Sequence, residues 1–368
     1  MTHAPTDTEP GPRRARRAPS NRRAKAPRGR RRVWRWVGLS LVVLLLAAGG
    51  TGWWMYQNLN SNISDVDIDK ALGDDRPGKL PTSGQNLLIL GSDSRSGANA
   101  ALKTGNVSGA RSDTALMVHI PEGRTRATAV SIPRDTLVTR PACTTASGEK
   151  LPEAKRVMFN SVYSSGGPAC VVKTVESVSG IRMDHYMEID FAGFKDLVDA
   201  LGGVSVTLDE DIKDTKSGLD LAKGTHRLDG TDSLALVRTR YGYGDGSDLG
   251  RIGLQQKFML AVLAEIKRQD VLGSPTKLYG IASSATKSLT TDSGLGSLTK
   301  LAQYGGSLKA IDPSSMETIM LPVRYDTEDP NRVVAAEPQA GQLWKALRTD
   351  TTIPESAKKS PATGGSQS

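Results

Sequence analysis

From Val37 to Tyr56 the chain runs for twenty residues without a charge. Leu, Val, Ala and Gly dominate the run. At 1.5 Å of rise per residue, a helix of that length spans about 30 Å, the thickness of a bilayer core. Trp34, Trp36, Trp53, Trp54 and Tyr56 bracket it, as aromatic belts do at the two interfaces. Residues 36–56 therefore read as a transmembrane anchor, which divides the chain between two compartments. Ala47-Ala48-Gly49 offers the small residues of a signal-peptide cleavage site. The long arginine-rich leader and the aromatic pairs favour an uncleaved anchor instead. Basic residues precede the span, so the positive-inside rule puts the N-terminus in the cytoplasm. The expectation is a single-pass cell-membrane protein whose folded part lies outside the cell.

The charge distribution supports this division. The chain holds 48 basic and 39 acidic residues, a formal net charge of +9. Residues 1–35 hold twelve of the basic and only two of the acidic ones, Asp7 and Glu9. That leaves 36 basic and 37 acidic residues for everything else. The basic character belongs to the tail, where anionic lipid accounts for it. A nucleic-acid-binding domain would carry a basic face of its own, so nucleic acid is not an expected partner. The two cysteines, Cys143 and Cys170, both follow the span. An even pair in an oxidising compartment reads as a disulfide.

Residues 57–84 are polar and rich in Asp, Gly and Pro, and read as a stalk. Asn86–Leu90, Thr114–Ile120 and Ala127–Ile132 read as strands, the last two joined by a tight turn at Pro121-Glu-Gly-Arg. Helices are expected from Pro168 to Val178 and from Asp190 to Leu201. Val204–Leu208 alternates as a strand. Arg251–Asp270 is the longest helical pattern. Pro275–Leu289 and Leu295–Tyr304 are further helices, with Gly305-Gly306 stopping the second. Met316–Val323 reads as a late strand. Strands interleaved with helices imply an α/β domain over residues 85–348, with a mixed sheet covered on both faces. Residues 349–368 read as a disordered tail.

The densest chemistry lies between Arg238 and Gln256, where three arginines, two aspartates and two glutamines fall within nineteen residues. On an extended segment, Arg238 and Arg240 would share one face about 7 Å apart. They would repel by roughly 2 kcal/mol at an effective dielectric near 20. A fold holds such a pair together when an anion lies between them, so this stretch reads as one wall of a phosphate or pyrophosphate site. Arg251 and Gln255 lie at i and i+4 on one helix face, with Arg251 in the first turn, where backbone N–H groups favour anions. Leu90-Gly-Ser-Asp-Ser-Arg95 places Asp93 and Arg95 just past a strand, where open α/β sheets bind ligands. Asp113 opens the next strand. Asp93 and Asp113 become a Mg²⁺ pair if those strands are neighbours. Arg134 and Asp135 follow a third strand, Arg134 as a phosphate contact and Asp135 as its partner. The four histidines form no motif, and His119 and His185 read as ordinary residues at strand ends.

These motifs together resemble the LytR-CpsA-Psr proteins of Gram-positive cell envelopes. The matching segments are NLLILGSDSR, ARSDTALMVHI, VSIPRDTLV, MFNSVYSSGG, GIRMDHYMEIDFAGFKDLVDALGGV, LDGTDSLALVRTR and GDGSDLGRIGLQQ, in the family's order. The resemblance covers roughly residues 85–270 and loosens to about 325. It implies an α-β-α sandwich with a hydrophobic groove for a polyprenyl tail. It further implies phosphotransfer assisted by Mg²⁺ (or Mn²⁺), moving a polyprenyl-pyrophosphate-linked glycopolymer to peptidoglycan through a phosphodiester bond. Position by position, Asp93 and Asp113 match the metal pair. Arg95, Arg134, Arg238, Arg240 and Arg251 match arginines around the pyrophosphate, and Gln255 the glutamine after the last of them. Asn160 belongs to the substrate-binding segment. Many members carry Lys two residues before that asparagine, where this chain has Met158; either Arg156 substitutes for that cation or the head-group contact differs. Asp93 or Asp135 takes the acceptor proton. A pyrophosphatase using water at the same site and a non-catalytic binder of lipid-linked intermediates are the alternatives.

Overall fold

The computed structural model describes residues 28–92, 112–145, 147–239, 248–269 and 274–363. Of residues 28–32, 112–113, 248–249, 275–276 and 363 only the backbone is described. Two compact units emerge, residues 1–54 and residues 55–368. The apolar run lies in the helix Arg28–Asn60, whose stretch Val33–Asn60 contains an eighteen-residue window with a mean hydropathy of 1.7 and has the length to cross a membrane.

The second unit is built on a mixed seven-stranded sheet. In chain order its strands are β1 (Ser64–Val66), β2 (Gln85–Ser92), β3 (Ser112–Ile120), β4 (Ala127–Ile132), β5 (His185–Asp190), β6 (Leu289–Asp292) and β7 (Met316–Met320). They lie side by side as β1-β6-β5-β2-β3-β4-β7. β2 pairs antiparallel with β3 and parallel with β5; β4 pairs antiparallel with β3 and parallel with β7. The expected turn joins β3 to β4, with Arg124 N–H donating to the Pro121 carbonyl at 3.1 Å.

Strand side chains alternate between two apolar faces. Leu88, Leu90, Ala115, Met117, Val130 and Ile132 face one core, and Leu87, Leu116, Val118, Ala127 and Ala129 the other. A sheet apolar on both sides must be covered on both. On the first face lie the helices Phe159–Ser179, through Val162, Val172 and Val175, and Gln339–Arg348, through Leu343 and Trp344. Met259 of the helix Asp248–Arg268, with Tyr304 and Leu308, packs on the second. Beyond that helix, a third cluster joins it to the helices Phe191–Ala200 and Gly230–Arg238 and to the hairpin of Val204–Leu208 with Gly224–Leu228. This is the expected helix–sheet–helix order.

The 159–179 helix starts earlier than Pro168. Gly167, at φ 71°, breaks it, so Pro168 does begin a helical segment. Cys170 of that segment is disulfide-bonded to Cys143. His119 and His185 do sit near strand ends. The helix Leu298–Ser307 runs through Gly305 and Gly306 instead of stopping at them, because both fall in its last turn, where the glycine penalty is smallest.

The stretch read as a stalk and most of the stretch read as a disordered tail are ordered. The lead-in 57–84 is folded: β1 adds to the sheet edge, and Leu59, Ile63, Ile68 and Leu72 are buried. Arg76 fixes it to the 159–179 helix, with Nη2 donating to Glu176 at 2.6 Å and to the Met183 carbonyl at 2.8 Å. Residues 351–362 also pack on the core through Ile353, Ala357 and Ala362. Ser360 Oγ accepts from the Val323 N–H at 3.1 Å. Alanine buries without adding much to average hydrophobicity, so the polar composition of that stretch hid its contacts.

Arg76 and Glu176 have side chains only 2% and 1% exposed. Removing one partner strands the other charge in the interior. Arg76→Ala should cost about 3–5 kcal/mol in chemical denaturation of the full chain. A loss below about 1 kcal/mol would mean that the lead-in is dispensable to the fold.

Candidate functional site

The ends of several strands meet at one edge of the sheet. β2, β4 and β5 finish there, and β3, antiparallel to β2, begins there, with Ser92 opposite Ser112 and a register shift after Gly91. The strands that lead to Asp93 and carry Asp113 are therefore neighbours, as a shared metal requires. Asp93, Arg95 and Arg240 lie outside the described residues, and of Asp113 only the backbone is described.

Beside this edge is a cavity of about 250 Å³. Its floor is the second face of the sheet, with Ile89, Gly91, Thr114, Leu116, Ser131 and Ile189. Its walls are Phe191, Phe194 and Leu197 of one helix and Phe258, Met259 and Val262 of another. The lining is overwhelmingly apolar. This is the arrangement expected of a site that takes a hydrocarbon and orients it with a few polar groups.

Those polar groups come from three chain segments, tied together by two neighbouring glutamines. Gln255 Nε2 donates to the Val237 carbonyl at 3.0 Å, and Gln256 Nε2 to Ser131 Oγ at 3.1 Å. Each segment also carries one of the expected arginines. Arg238 follows Val237, Arg251 precedes Gln255 by one helical turn, and Arg134 lies three residues past Ser131. The guanidinium carbon of Arg238 stands 4.3 Å from the ring centroid of Phe191, a cavity wall. Cation–π attraction fixes that charge over the apolar wall. Arg238 is thus the last residue of a helix and not part of an extended segment; Asp229 caps that helix by accepting from the Thr231 and Asp232 N–H groups. Arg251 lies in the first turn of its own helix and is 4% exposed.

The Pro133–Thr136 turn positions Arg134 and Asp135. Thr136 N–H donates to the Pro133 carbonyl at 3.1 Å, and the Asn160 N–H donates to the Arg134 carbonyl at 3.0 Å. Asp135 lies between two cations, 3.5 Å from Arg134 Nε and 3.5 Å from Arg332 Nη1. Buried Asn160 opens the 159–179 helix directly against this turn. Arg156, at φ 52°, turns to Asp326 and Glu328, with ion pairs of 2.8 and 3.1 Å. Its hydrogen bond to Asp326 raises its pKa and lowers that of the carboxyl.

Sequence reasoning missed three contributors and a buried carboxylate on the opposite face of the sheet. Phe191 and Gln256 were present in recognised segments without a role. Arg332 sits far along the chain in a stretch with no motif. Glu188 is buried and accepts from Tyr163 Oη at 2.7 Å and Tyr186 Oη at 2.5 Å. Burial and the adjacent Glu188 charge push both phenols above their ordinary pKa. The alternating pattern of β5 was the available signal, since it turns Glu188 inward beside Leu90.

An apolar cavity thus lies beside strand ends, and the segments that line it lead to Arg134, Arg238 and Arg251. The chain belongs to the LytR_cpsA_psr family, whose profile matches residues 55–349. It is 36% identical over 218 residues to the probable cell wall biosynthesis protein LcpB of Corynebacterium glutamicum, covering 58% of this chain and 49% of LcpB. It is 33% identical over 264 residues to the polyisoprenyl-teichoic acid–peptidoglycan teichoic acid transferase TagT of Bacillus subtilis, covering 67% of this chain and 74% of TagT. The solved LytR-Csp2A-Psr enzyme from Actinomyces oris matches with a TM-score of 0.58 and 26% identity, over 77% of this chain and 95% of that one. The structure of TagT bound to LI-WTA matches with a TM-score of 0.57 and 26% identity, over 77% of this chain and 98% of that one. The chain spans about half the length of the two C. glutamicum relatives LcpB and LcpA, 49% and 55%.

The helix that carries Arg251, Gln255 and Gln256 is held at its far end by Glu265. That carboxylate accepts from Arg268 at 2.6 Å, Gln269 at 2.7 Å and Arg227 at 3.2 Å. The Arg268 hydrogen bond leads in holding its pKa down to about 2, from an ordinary 4.5. The folded-state value is the depressed one, so this stabilisation is present above the ordinary value and is lost as pH falls towards 2. Urea midpoints measured across that acid range should drop with pH in the wild type and drop less in Glu265→Gln. Equal slopes would contradict the anchoring role.

Proposed function

We propose that this protein is a phosphotransferase that moves a glycopolymer from a polyprenyl-pyrophosphate carrier to peptidoglycan, forming a phosphodiester bond. The observation that carries the reading is the apolar cavity whose wall Phe191 bears the Arg238 guanidinium. A polyprenyl chain suits the cavity, and the diphosphate suits the arginine-bearing segments at its rim. The named transferase TagT, similar over two thirds of the chain, supports the same chemistry.

Phosphoryl transfer needs positioning and charge neutralisation more than a covalent protein nucleophile. In this reading Arg238, Arg251 and Arg134 hold the diphosphate oxygens, together with Arg95 and Arg240. Asp135 orients Arg134 and Arg332. Gln255 and Gln256 fix the spacing between the segments. Asn160 and Arg156 complete the polymer side of the site. The acceptor hydroxyl oxygen attacks the sugar-linked phosphorus and the bridging P–O bond breaks. Polyprenyl phosphate departs, and the hydroxyl proton passes to Asp93 or Asp135. Asp93, which follows β2 in the sequence, and Asp113 of β3 would hold Mg²⁺ or Mn²⁺, which would supply further neutralisation of the diphosphate charge. The apolar helix anchors the chain in the cell membrane, with the arginine-rich tail cytoplasmic and the site outside.

The test is a transfer assay with a lipid-diphosphate-linked saccharide, run with and without peptidoglycan. Acceptor-dependent attachment is expected. Phosphate release that ignores the acceptor would favour a pyrophosphatase, and binding without turnover a carrier protein. Arg238→Ala should lower the transfer rate by about 10²-fold, as loss of one transition-state donor does. Near-wild-type transfer would remove Arg238 from the site.

A further inference from the structure

The last residues of the anchor helix belong to the folded unit and bond to two short surface helices. Tyr56 Oη and Thr299 Oγ1 are 3.0 Å apart, Asn58 Nδ2 donates to Tyr279 Oη at 3.4 Å, and the Leu298 N–H donates to Asn60 Oδ1 at 3.0 Å. Asn58 follows Trp54 by only four residues in the sequence, so the chain enters the folded unit beside these two helices directly after the apolar run.

What it places there is unusual for this surface. Among the described residues of the folded unit, only Leu278, at 40%, and Tyr325, at 36%, are large apolar side chains counted as exposed. Leu278 lies in the first turns of the helix Pro275–Lys287, between exposed Lys277 and the Tyr279 that meets Asn58. Residues 274–310 contain four lysines, Lys277, Lys287, Lys300 and Lys309, all exposed. Their one acid is Asp292, buried and accepting from the Tyr186 and Gly294 N–H groups. The exposed carboxylate contributed by a neighbouring strand is Asp65, bonded by Ser293 Oγ. An exposed Leu flanked by Lys and Tyr is the composition of a segment lying in a membrane interface. Lysines near a span are attracted to anionic headgroups.

We propose that the start of the helix Pro275–Lys287 is a second membrane contact. Leu278 enters the interfacial layer of the bilayer that the anchor crosses, and Lys277, assisted by Lys300, faces anionic lipid phosphates. The contact limits the swivel of the folded unit about its single anchor. It depends on the apolar helix spanning the bilayer and is independent of the transferase reading.

The experiment uses the full chain in phosphatidylcholine vesicles with and without phosphatidylglycerol. The native cysteines are disulfide-bonded, so a bimane can be placed at Leu278→Cys, Tyr325→Cys or Leu44→Cys and quenched by nitroxide-bearing lipid. In phosphatidylglycerol vesicles the label at 278 should be quenched at least about twofold more than that at 325. Adding Lys277→Glu with Lys300→Glu should remove the difference while the label at 44 stays quenched. Equal quenching at 278 and 325, with 44 quenched, overturns the contact; so does indifference to phosphatidylglycerol. An unquenched label at 44 refutes the anchor itself, and the contact with it.

Discussion

The helix Asp248–Arg268 is the member on which the site depends. One side of it buries Leu254 and Phe258 in the cluster with the hairpin, and Met259 reaches the sheet. The space between them is not filled, and that gap is the cavity. The amide pair Gln255–Gln256 sets its width by bonding to Val237 on one side and Ser131 on the other. Apolar packing alone would let such a gap collapse, since interiors favour close contact. Two directional hydrogen bonds to separate elements resist that. The same helix carries Arg251, buried in its first turn, so cavity wall and charge share one support.

The sheet explains why the site lies where it does. Antiparallel pairing of β2 with β3 and of β3 with β4 sends the chain repeatedly through one edge, and each passage leaves a polar residue there. The Pro133–Thr136 turn and the start of the 159–179 helix interlock through the Asn160 N–H and the Arg134 carbonyl. A rigid frame of this kind limits how far Arg134 and Asp135 can move, which suits chemistry that depends on fixed charges more than on a reactive side chain.

Much of the frame was legible in the residues. Short apolar runs marked β2, β3 and β4, and Pro121-Glu-Gly-Arg marked the turn between the last two. The helices at 191–200, 248–268 and 275–287 were visible from period and caps. The Cys143–Cys170 bond was expected from an even pair that follows the apolar span. What escaped was decided by distant partners. Arg76 makes residues 57–84 part of the fold through Glu176, a hundred residues away. Small buried alanines order the C-terminal stretch without raising its hydropathy. Arg238 has the same sequence neighbours whether helical or extended, and the Asp229 cap settles the matter. Arg156 finds Asp326 and Glu328 across the fold, a pairing with no local signature.

The central claim is that the apolar cavity and its arginine-bearing rim bind one amphiphile jointly. Titration calorimetry with a short polyprenyl diphosphate tests it most directly, comparing the wild type with Val262→Trp, which fills the wall, and with inorganic pyrophosphate as the tailless control. The account predicts that the bulky residue weakens the lipid diphosphate strongly and leaves pyrophosphate unaffected. Unchanged affinity of the lipid diphosphate in Val262→Trp, or equal losses for both ligands, would contradict it.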